Sequence, residues 1–385
     1  MTDLELFFLV LAVFYLLQCL VWVPPDAVCF RPGWRGKWRV APAGLQFAEG
    51  GSRGLFTAPF PPLNGLAACE GSLFSISPAG VVAPAAPPRP AVGSPKPAPR
   101  QARFAEPGKF SAATNEIHLG KLLFVRTASA PSARHWAELL ETLRPMSPER
   151  REAELQREFA RQLSTDEVTA RLNSWRENSF NLRLACNSLF AVLFVLLPFH
   201  VWRQIIAHTW PLLGAYYLAH ILLIAWLFRR LHRSLYPKES EARWVNTLLI
   251  ATYPLGAVRA LDVVQRDLFN GYHPAAVAAV LCDAATARQV ASRTLREVRF
   301  PLPESSELEA GFRRETQEWF RAHMGQAFEK FLRKEKAPPE ELLQPPARLS
   351  ESCRAYCPRC CGQFVVVEGT CSDCAGIALV RFPAD

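Results

Sequence analysis

The sequence lacks the short motifs that mark the commonest catalytic sites. It contains no His-Glu-x-x-His motif and no glycine-rich phosphate-binding loop. Gly50 to Gly54 match the Gly-x-Ser-x-Gly pattern of a hydrolase nucleophile elbow. That elbow requires a helix directly after it, and the three prolines within residues 55–62 exclude one. The sequence therefore provides no convincing catalytic constellation, and we infer no small-molecule substrate from it.

Cysteine is too sparse for a disulfide framework. The chain has eleven cysteines in 385 residues, and six of them fall between Cys353 and Cys374. That crowding indicates a metal site rather than disulfide bonds. We expect the remaining five to be small buried hydrophobic side chains, namely Cys19, Cys29, Cys69, Cys186 and Cys282.

Charge is absent from three long apolar runs, residues 6–23, 184–202 and 209–228. Helices of this length span roughly 27–30 Å at about 1.5 Å per residue, close to the hydrocarbon thickness of a bilayer. The acidic start and the lack of a small-x-small cleavage site favour an uncleaved anchor for the first run. The sequence therefore predicts a membrane α-helical protein with three spans, embedded in a lipid bilayer, whose second and third spans form a hairpin.

Lysine and arginine cluster on one side of all three predicted spans. The positive-inside rule makes that side cytoplasmic. We therefore expect a multi-pass protein of a bacterial cytoplasmic (inner) membrane, with its N-terminus outside and its soluble domains in the cytoplasm. The residues that decide the orientation are Arg31, Arg35, Lys37, Arg39, Arg171, Arg176, Arg183, Arg229, Arg230, Arg233 and Lys238.

Residues 244–258 are the alternative fourth span. The run has only 15 residues, contains Asn246 and Pro254, and leads directly into Arg259. A segment this short favours a buried or interfacial helix. A fourth crossing would move the C-terminal part to the opposite side of the membrane.

A small β-rich cytoplasmic domain is predicted over residues 27–145. Short alternating runs separated by turn residues predict strands, including one at 117–126, and a Pro/Ala-rich loop occupies 84–100. An amphipathic helix closes the region, with its apolar face formed by Trp136, Leu139, Leu140 and Leu143. Several strands closed by one helix resemble the topology of the pleckstrin-homology barrel. That resemblance implies a small membrane-proximal barrel.

Helices dominate the other soluble parts. Capping residues predict cytoplasmic helices over residues 147–177. A cytoplasmic α-helical region is predicted over 239–335, and a Pro-rich tether over 337–346 connects it to the C-terminal module. The last helix of that region carries an aromatic face, which we expect to be core or a partner contact, formed by Leu308, Phe312, Trp319, Phe320, Met324, Phe328 and Phe331.

The C-terminal residues 353–385 contain a doubled cysteine motif. Both Cys357-Pro-Arg-Cys360-Cys361-Gly362 and Cys371-Ser-Asp-Cys374-Ala375-Gly376 follow the pattern Cys-x-x-Cys-x-Gly. Two thiolates three residues apart reach one ion from a tight turn, and the glycine admits a positive φ. The repeat aligns Cys361 with Ala375, so we do not expect Cys361 to be a ligand. Cys361 and Cys353 remain the alternative ligands.

This doubled motif resembles the rubredoxin-like zinc ribbon, which covers under a tenth of the chain. The resemblance implies one structural zinc bound by Cys357, Cys360, Cys371 and Cys374. An iron site of the rubredoxin kind uses the same ligands and is the alternative. Four thiolates leave no open coordination position, which argues against a catalytic zinc.

We favour an interaction or scaffold role, with a protein partner bound through the ribbon or the aromatic-faced helix. Residues 353–385 carry three arginines against three acidic residues, and this neutral balance argues against nucleic acid. A second hypothesis is a membrane sensor or transport accessory that acts through the helical hairpin and His220. A third is an enzyme with an unrecognised site around Arg259, Asp262 and His273.

Overall fold

The computed structural model combines short strands with long helices. It describes residues 3–23, 27–33, 36–41, 45–46, 53–58, 65–70, 74–83, 100–203, 206–302, 311–374 and 376–383. The Pro/Ala-rich loop predicted at 84–100 lies outside the described residues except for Arg100.

The described strands pair in three-stranded antiparallel sheets. The sheet orders are β1-β5-β4, β3-β2-β6, β7-β8-β9, β10-β11-β12 and β14-β13-β15. The strands are β1 (Leu20–Val23), β2 (Val28–Pro32), β3 (Trp38–Val40), β4 (Leu45–Gln46), β5 (Arg53–Phe56), β6 (Ala67–Cys69), β7 (Ser75–Ser77), β8 (Gly80–Val82), β9 (Gln101–Arg103), β10 (Phe110–Ala113), β11 (Glu116–Leu119), β12 (Leu122–Arg126), β13 (Ala355–Tyr356), β14 (Gln363–Phe364) and β15 (Val380–Arg381).

The single strand predicted at 117–126 is instead a hairpin. β11 and β12 pair antiparallel on either side of Gly120. Gly120 has a φ of +61°, a conformation that glycine adopts without the steric cost other residues incur. The alternating apolar pattern looked continuous because the turn interrupts it by only two residues.

The helices are α1 (Asp3–Gln18), α2 (Ala130–Leu143), α3 (Pro148–Gln162), α4 (Thr165–Ala191), α5 (Leu197–Trp202), α6 (Ile206–Leu235), α7 (Ser240–Thr252), α8 (Pro254–Val258), α9 (Ala260–Arg266), α10 (Pro274–Leu281), α11 (Ala284–Arg299), α12 (Phe312–Lys334) and α13 (Pro339–Leu342). A π-helical turn, Val192–Leu196, joins α4 to α5.

The helix α2 closes the β-rich region from one side. Ser129 caps it by accepting a hydrogen bond from the Ser132 N–H. Leu140 and Leu143 are fully buried, and the Trp136 ring centroid lies 4.8 Å from that of Phe74 on the strand side. The pairing of the described strands does not test the barrel topology, which stays a prediction.

The first apolar run is not one helix over residues 6–23. The helix α1 ends at Gln18, and β1 follows it and pairs with β5. Leu-Val-Trp-Val is as favourable for a strand as for a membrane helix, and the partner strand decides between them. The helix that remains has 16 residues, or about 24 Å at 1.5 Å per residue.

The second apolar run, residues 184–202, is the end of a longer helix. The helices predicted over residues 147–177 do not stop before it, because α4 continues from Thr165 through the π-helical turn to Trp202. One buried stripe with alternating spacings of four and three residues crosses the predicted boundary, formed by Val168, Leu172, Trp175, Ser179, Leu182, Cys186 and Leu189. The π-helical turn precedes Pro198, which has no backbone N–H to donate.

Two described helices are long and apolar enough to cross a membrane, Thr165–Trp202 and Trp210–Leu235. The second contains most of the run predicted at 209–228. In the most apolar 18-residue stretch of each helix, only 28% and 22% of the residues, respectively, are buried. The core helix of a water-soluble protein would bury most of such a window.

The β-rich region and the helical region share one hydrophobic core. The aromatic face of α12 contributes the buried Phe312, Phe328 and Phe331. The Phe320 ring lies 5.6 Å from Phe159 of α3, and the Thr316 hydroxyl accepts a hydrogen bond from Ser77 of β7 over 3.3 Å. Among the described residues, the aromatic face is therefore internal. Leu308 lies outside the described residues.

The Pro-rich segment 337–346 is packed rather than free. It contains the short helix α13, and Ala337, Pro339 and Leu342 are buried. The Ser292 hydroxyl of α11 donates to the Leu342 carbonyl over 2.7 Å. This segment therefore fixes the start of the C-terminal module against α11 and does not act as a loose tether.

Candidate metal centre

The two cysteine motifs form turns that face each other. β13 lies just before Cys357 and pairs with both β14 and β15, which brings the second motif against the first. The four sulfurs of Cys357, Cys360, Cys371 and Cys374 lie within 4.8 Å of one another. The spacing of the motifs thus brings together the four predicted ligands.

The size of this cluster matches a tetrahedral ion site. Zn–S bonds of about 2.3 Å place tetrahedral sulfurs about 3.8 Å apart. The Cys360 and Cys371 sulfurs are 3.6 Å apart. Four cysteine sulfurs are the ligand set of structural zinc and also of rubredoxin-type iron, so the cluster could hold either ion.

Backbone amides point at the sulfurs. The Gly362 N–H donates to the Cys360 Sγ, and the Cys374 N–H donates to the Cys371 Sγ, both over 3.4 Å. Burial raises the pKa of the Cys371 thiol, but backbone N–H donors from Cys374 and Asp373 outweigh it, so the pKa is lowered. Desolvation and the neighbouring thiols of Cys357, Cys371 and Cys374 raise the pKa of the Cys360 thiol. A metal ion must therefore displace protons from this cluster in order to bind.

The positive φ expected at both motif glycines occurs at only one of them. Gly376 has a φ of +88°, but in the first motif Cys361 takes the left-handed conformation, with a φ of +62°, and Gly362 does not. The Cys361 N–H donates to the Cys357 carbonyl over 2.9 Å, which fixes the tight turn. Cys361 is thus held by the turn and is not a member of the four-sulfur cluster.

The other predicted substitute ligand, Cys353, is also outside the cluster. Its Sγ lies 3.4 Å from the Ser350 hydroxyl. Among the described residues, the only group of at least three His, Cys, Asp or Glu side chains close enough to share an ion is Cys357, Cys360, Cys371 and Cys374.

The module around the cluster has little hydrophobic core. Its buried cluster consists of Cys357, Cys371 and Cys374, with Phe364, Ile377 and Leu379 packed against them. A module this small cannot bury enough apolar surface to be stable alone. A structural zinc supplies roughly 10–16 kcal/mol of coupled folding free energy in comparable peptides.

Two arginines attach the first motif to the helical region. The Arg296 side chain, on α11, is buried and donates to the Pro358 carbonyl over 2.9 Å. It also donates to the carbonyls of Leu342 and Gln344. In the other direction, Arg359 donates to the carbonyls of Glu297 and Phe300, over 3.1 and 2.6 Å.

Sequence reasoning missed this attachment. One signal was present, because Arg296 lies one turn after Ser292 in the stripe that contains the buried Leu295. A buried arginine needs several acceptors. Its acceptors are backbone carbonyls distant in sequence, however, and they cannot be identified before the fold is known.

Two of the three residues of the enzyme hypothesis contact each other, and His273 has other partners. Arg259 forms an ion pair with Asp262 over 2.5 Å, and both are buried. His273 caps α10 by accepting from the Ala275 N–H over 3.2 Å, and its ring lies 5.2 Å from Phe328. Burial lowers the pKa of His273 to about 4, so its ring is neutral at physiological pH.

His220 is linked to the second apolar run by hydrogen bonds. The Ser188 hydroxyl lies 2.6 Å from the Tyr216 hydroxyl, which lies 3.0 Å from the His220 Nε2. The Tyr216 and His220 rings are stacked with centroids 4.0 Å apart. Tyr216 therefore links His220 to Ser188 of α4.

Comparison with known proteins identified no relative: no protein-family model, curated protein or solved structure matches this chain.

Proposed function

We propose that the protein is a membrane-anchored scaffold whose C-terminal zinc ribbon binds a protein partner in the cytoplasm. The observation that carries the proposal is the four-sulfur cluster, attached by Arg296 to a chain with two long, exposed apolar helices. A tetrahedral Cys₄ zinc has no position for water or substrate, so its role is structural. The cluster then serves to shape a binding surface.

The membrane domain consists, in this proposal, of α1 and the apolar parts of α4–α5 and α6. Large apolar side chains on all three are exposed, among them Phe14, Leu184 and Leu222. Hydrocarbon is the environment in which such surfaces are stable. The basic residues that flank these helices favour a cytoplasmic location for the soluble parts. The β-rich region is proposed to form a pleckstrin-homology-like barrel beside the membrane.

The ribbon surface favours a protein over nucleic acid as the partner. Val365 and Val366 follow β14 and are 66% and 51% exposed. Adjacent exposed apolar side chains are typical of protein-binding surfaces. Nucleic acids require several cations, whereas residues 353–385 have no net charge. Because the aromatic face of α12 is internal, the proposal rests on the ribbon.

Affinity capture from detergent-solubilised membranes tests this role. The variant Val365→Ser/Val366→Ser removes the apolar ribbon surface, and Leu122→Ser is the matched control because Leu122 is 75% exposed on β12, away from the ribbon. A partner should be recovered with wild type and control and lost with the double variant, while all three keep their zinc. Recovery of the same proteins with wild type and both variants would overturn the ribbon as the docking surface.

The hydrogen-bonded chain Ser188–Tyr216–His220 favours one second candidate, a sensor or transport accessory. An ionisable group between apolar helices is a frequent feature of proton and ion pathways. Substituting His220→Gln keeps a polar group of similar size. Loss of a cellular phenotype with His220→Gln, while ribbon variants remain active, would favour this candidate over the scaffold.

A further inference from the structure

The outer surface of α7 is apolar. Its exposed large apolar side chains, each between 54% and 62% exposed, are Trp244, Val245, Leu248 and Leu249, and the exposed polar residues Ser240, Glu241 and Thr252 lie at its two ends. Asn246 and Thr247, in contrast, are partly buried, and Ile250 is buried. A surface helix of a water-soluble protein has the opposite distribution, with its polar face outward.

The two threonine hydroxyl groups of α7 are hydrogen-bonded within the helix itself. Thr247 donates to the Arg243 carbonyl over 2.6 Å, and Thr252 donates to the Leu248 carbonyl over 2.9 Å. In hydrocarbon, polar groups must be satisfied internally because no water is present. Both threonines meet that requirement.

Two contacts between an arginine and a tryptophan lie near the start of α7. The Arg229 guanidinium lies 5.2 Å from the centre of the Trp244 ring, and Arg230 lies 6.0 Å from that of Trp226. These two arginines directly follow the apolar run of α6, and such pairs are typical of the boundary between lipid and water. α7 has 13 residues, about 20 Å, which is too short to cross a hydrocarbon core of about 30 Å.

After α7, the chain turns and α9 returns to the residues that precede α7. Gln18, the last residue of α1, donates to the Tyr253 hydroxyl just after α7. The Tyr236 hydroxyl, just before α7, donates to the Val264 carbonyl of α9 over 3.2 Å. The end of α7 therefore lies beside the end of α1, and α9 lies beside the residues that precede α7.

The turn of this segment contains a paired charge. Arg259 pairs with Asp262 and also donates to the Cys19 sulfur over 2.9 Å and to the Thr57 hydroxyl over 2.5 Å. A charge at membrane depth is tolerated when it faces the protein interior and has partners. The ion pair thus faces inward, opposite to the apolar surface of α7.

We infer that residues 240–266 form a re-entrant hairpin in the membrane. α7 lies in the lipid on the basic side, and α8 and α9 return inside the protein. This inference rests on the proposed membrane embedding of α4 and α6. Lipid is the occupant of the α7 surface because that surface adjoins the exposed apolar face of α6, including Leu222 and Trp226, at an arginine–tryptophan boundary.

A photoreactive amino acid introduced in the full-length protein tests this contact. Benzoyl-phenylalanine is placed at Leu248, with Leu249 as a second position if the first variant does not fold. Leu218 of α6 is the control for a spanning helix, and Leu122 of β12 is the control for a position in water. In phosphatidylglycerol/phosphatidylethanolamine nanodiscs, we expect lipid adducts at Leu248 and Leu218 in comparable yield, and none at Leu122.

The two underlying ideas fail in different ways. Lipid adducts at Leu218 but not at Leu248, or protein adducts in their place at Leu248, would overturn the re-entrant hairpin alone. Absence of lipid adducts at both positions would overturn the membrane embedding itself. Sidedness is checked with Lys238→Cys and Arg293→Cys and an impermeant maleimide, read by peptide mass. In sealed membrane vesicles, both cysteines should react from the same side of the membrane. Reaction from opposite sides would mean that residues 240–266 cross the membrane.

Discussion

Arg296 on α11 donates a hydrogen bond to the carbonyl of Pro358, the residue that follows the first cysteine of the metal centre, over 2.9 Å. The same guanidinium reaches the carbonyls of Leu342 and Gln344, on the segment that leads into the ribbon. One buried side chain thus connects three parts of the chain: the helical region, the Pro-rich segment and the first cysteine turn.

Replacing Arg296 should loosen the ribbon without removing its metal. Arg296→Met leaves three carbonyls without their donor, and each buried unsatisfied group costs on the order of 1–3 kcal/mol. We expect faster amide hydrogen exchange across residues 353–383 and unchanged zinc content. Arg293→Met is the control, because Arg293 lies on the same helix with 80% of its side chain exposed. Unchanged exchange in Arg296→Met would contradict the attachment.

Cys361 should tolerate glycine better than any other residue. Its φ of +62° disfavours a residue with a Cβ atom, and glycine removes that strain. We expect Cys361→Gly to keep its zinc and to unfold with a midpoint at or above that of wild type, a gain on the order of 1 kcal/mol. Cys361→Val should lose stability, since β-branched residues are the least suited to a positive φ. A lower stability for glycine than for valine would exclude this backbone account.

Glu70 should make the stability of the β-rich region depend on pH. It accepts hydrogen bonds from the Ala128 N–H and the Ser132 hydroxyl, but burial raises its pKa from 4.5 to about 7. The folded state therefore binds the proton more tightly than the unfolded state. Stability from this group is present below about pH 4.5 and is lost as the pH rises through about 7.

Glu70→Gln should remove that dependence. At pH 8 the variant should be more stable than wild type, by roughly 2 kcal/mol, and at pH 5 the difference should shrink. Thermal unfolding in detergent at the two pH values measures the effect. Glu106→Gln, which changes an exposed carboxylate, serves as the control. An equal effect of Glu70→Gln at both pH values would show that this carboxyl is not protonated on folding.

Topology reporters should place both soluble regions on one side. A reporter active only in the cytoplasm should work when fused at residue 100 and at the C-terminus, and it should fail at residue 206, between the two candidate spans. The reason is that a chain with three spans would have the basic flanks of all three apolar runs on the same side. Activity at residue 100 without activity at the C-terminus would show that residues 244–258 cross the membrane.

The sequence predicts local features better than long-range ones. The cysteine spacing identified the four sulfurs that gather, because two residues between cysteines allow only a tight turn. The continuity of α4 was also readable in principle, from a buried stripe that keeps its spacing through Ser179. A polar residue in that stripe and the charges around it obscured the pattern.

Features that depend on distant partners could not be predicted in the same way. β1 is a strand because β5 pairs with it, and nothing within Leu20–Val23 distinguishes this from the end of a helix. The segment 337–346 looked like a tether because of its prolines, yet two of the three carbonyls that accept from Arg296 lie within it. Hydropathy likewise cannot show that the apolar side of α7 faces outward.

The metal content of the protein purified from membranes tests the account most directly. Wild type and Cys361→Ala should each carry about one zinc per chain, and Cys371→Ala should lose most of it and expose the ribbon to protease, because the cluster supplies the four ligands of a closed site. Elemental analysis by mass spectrometry gives the stoichiometry. Loss of zinc from Cys361→Ala, or full zinc in Cys371→Ala, would contradict the assignment of the four ligands and the structural ribbon built on it.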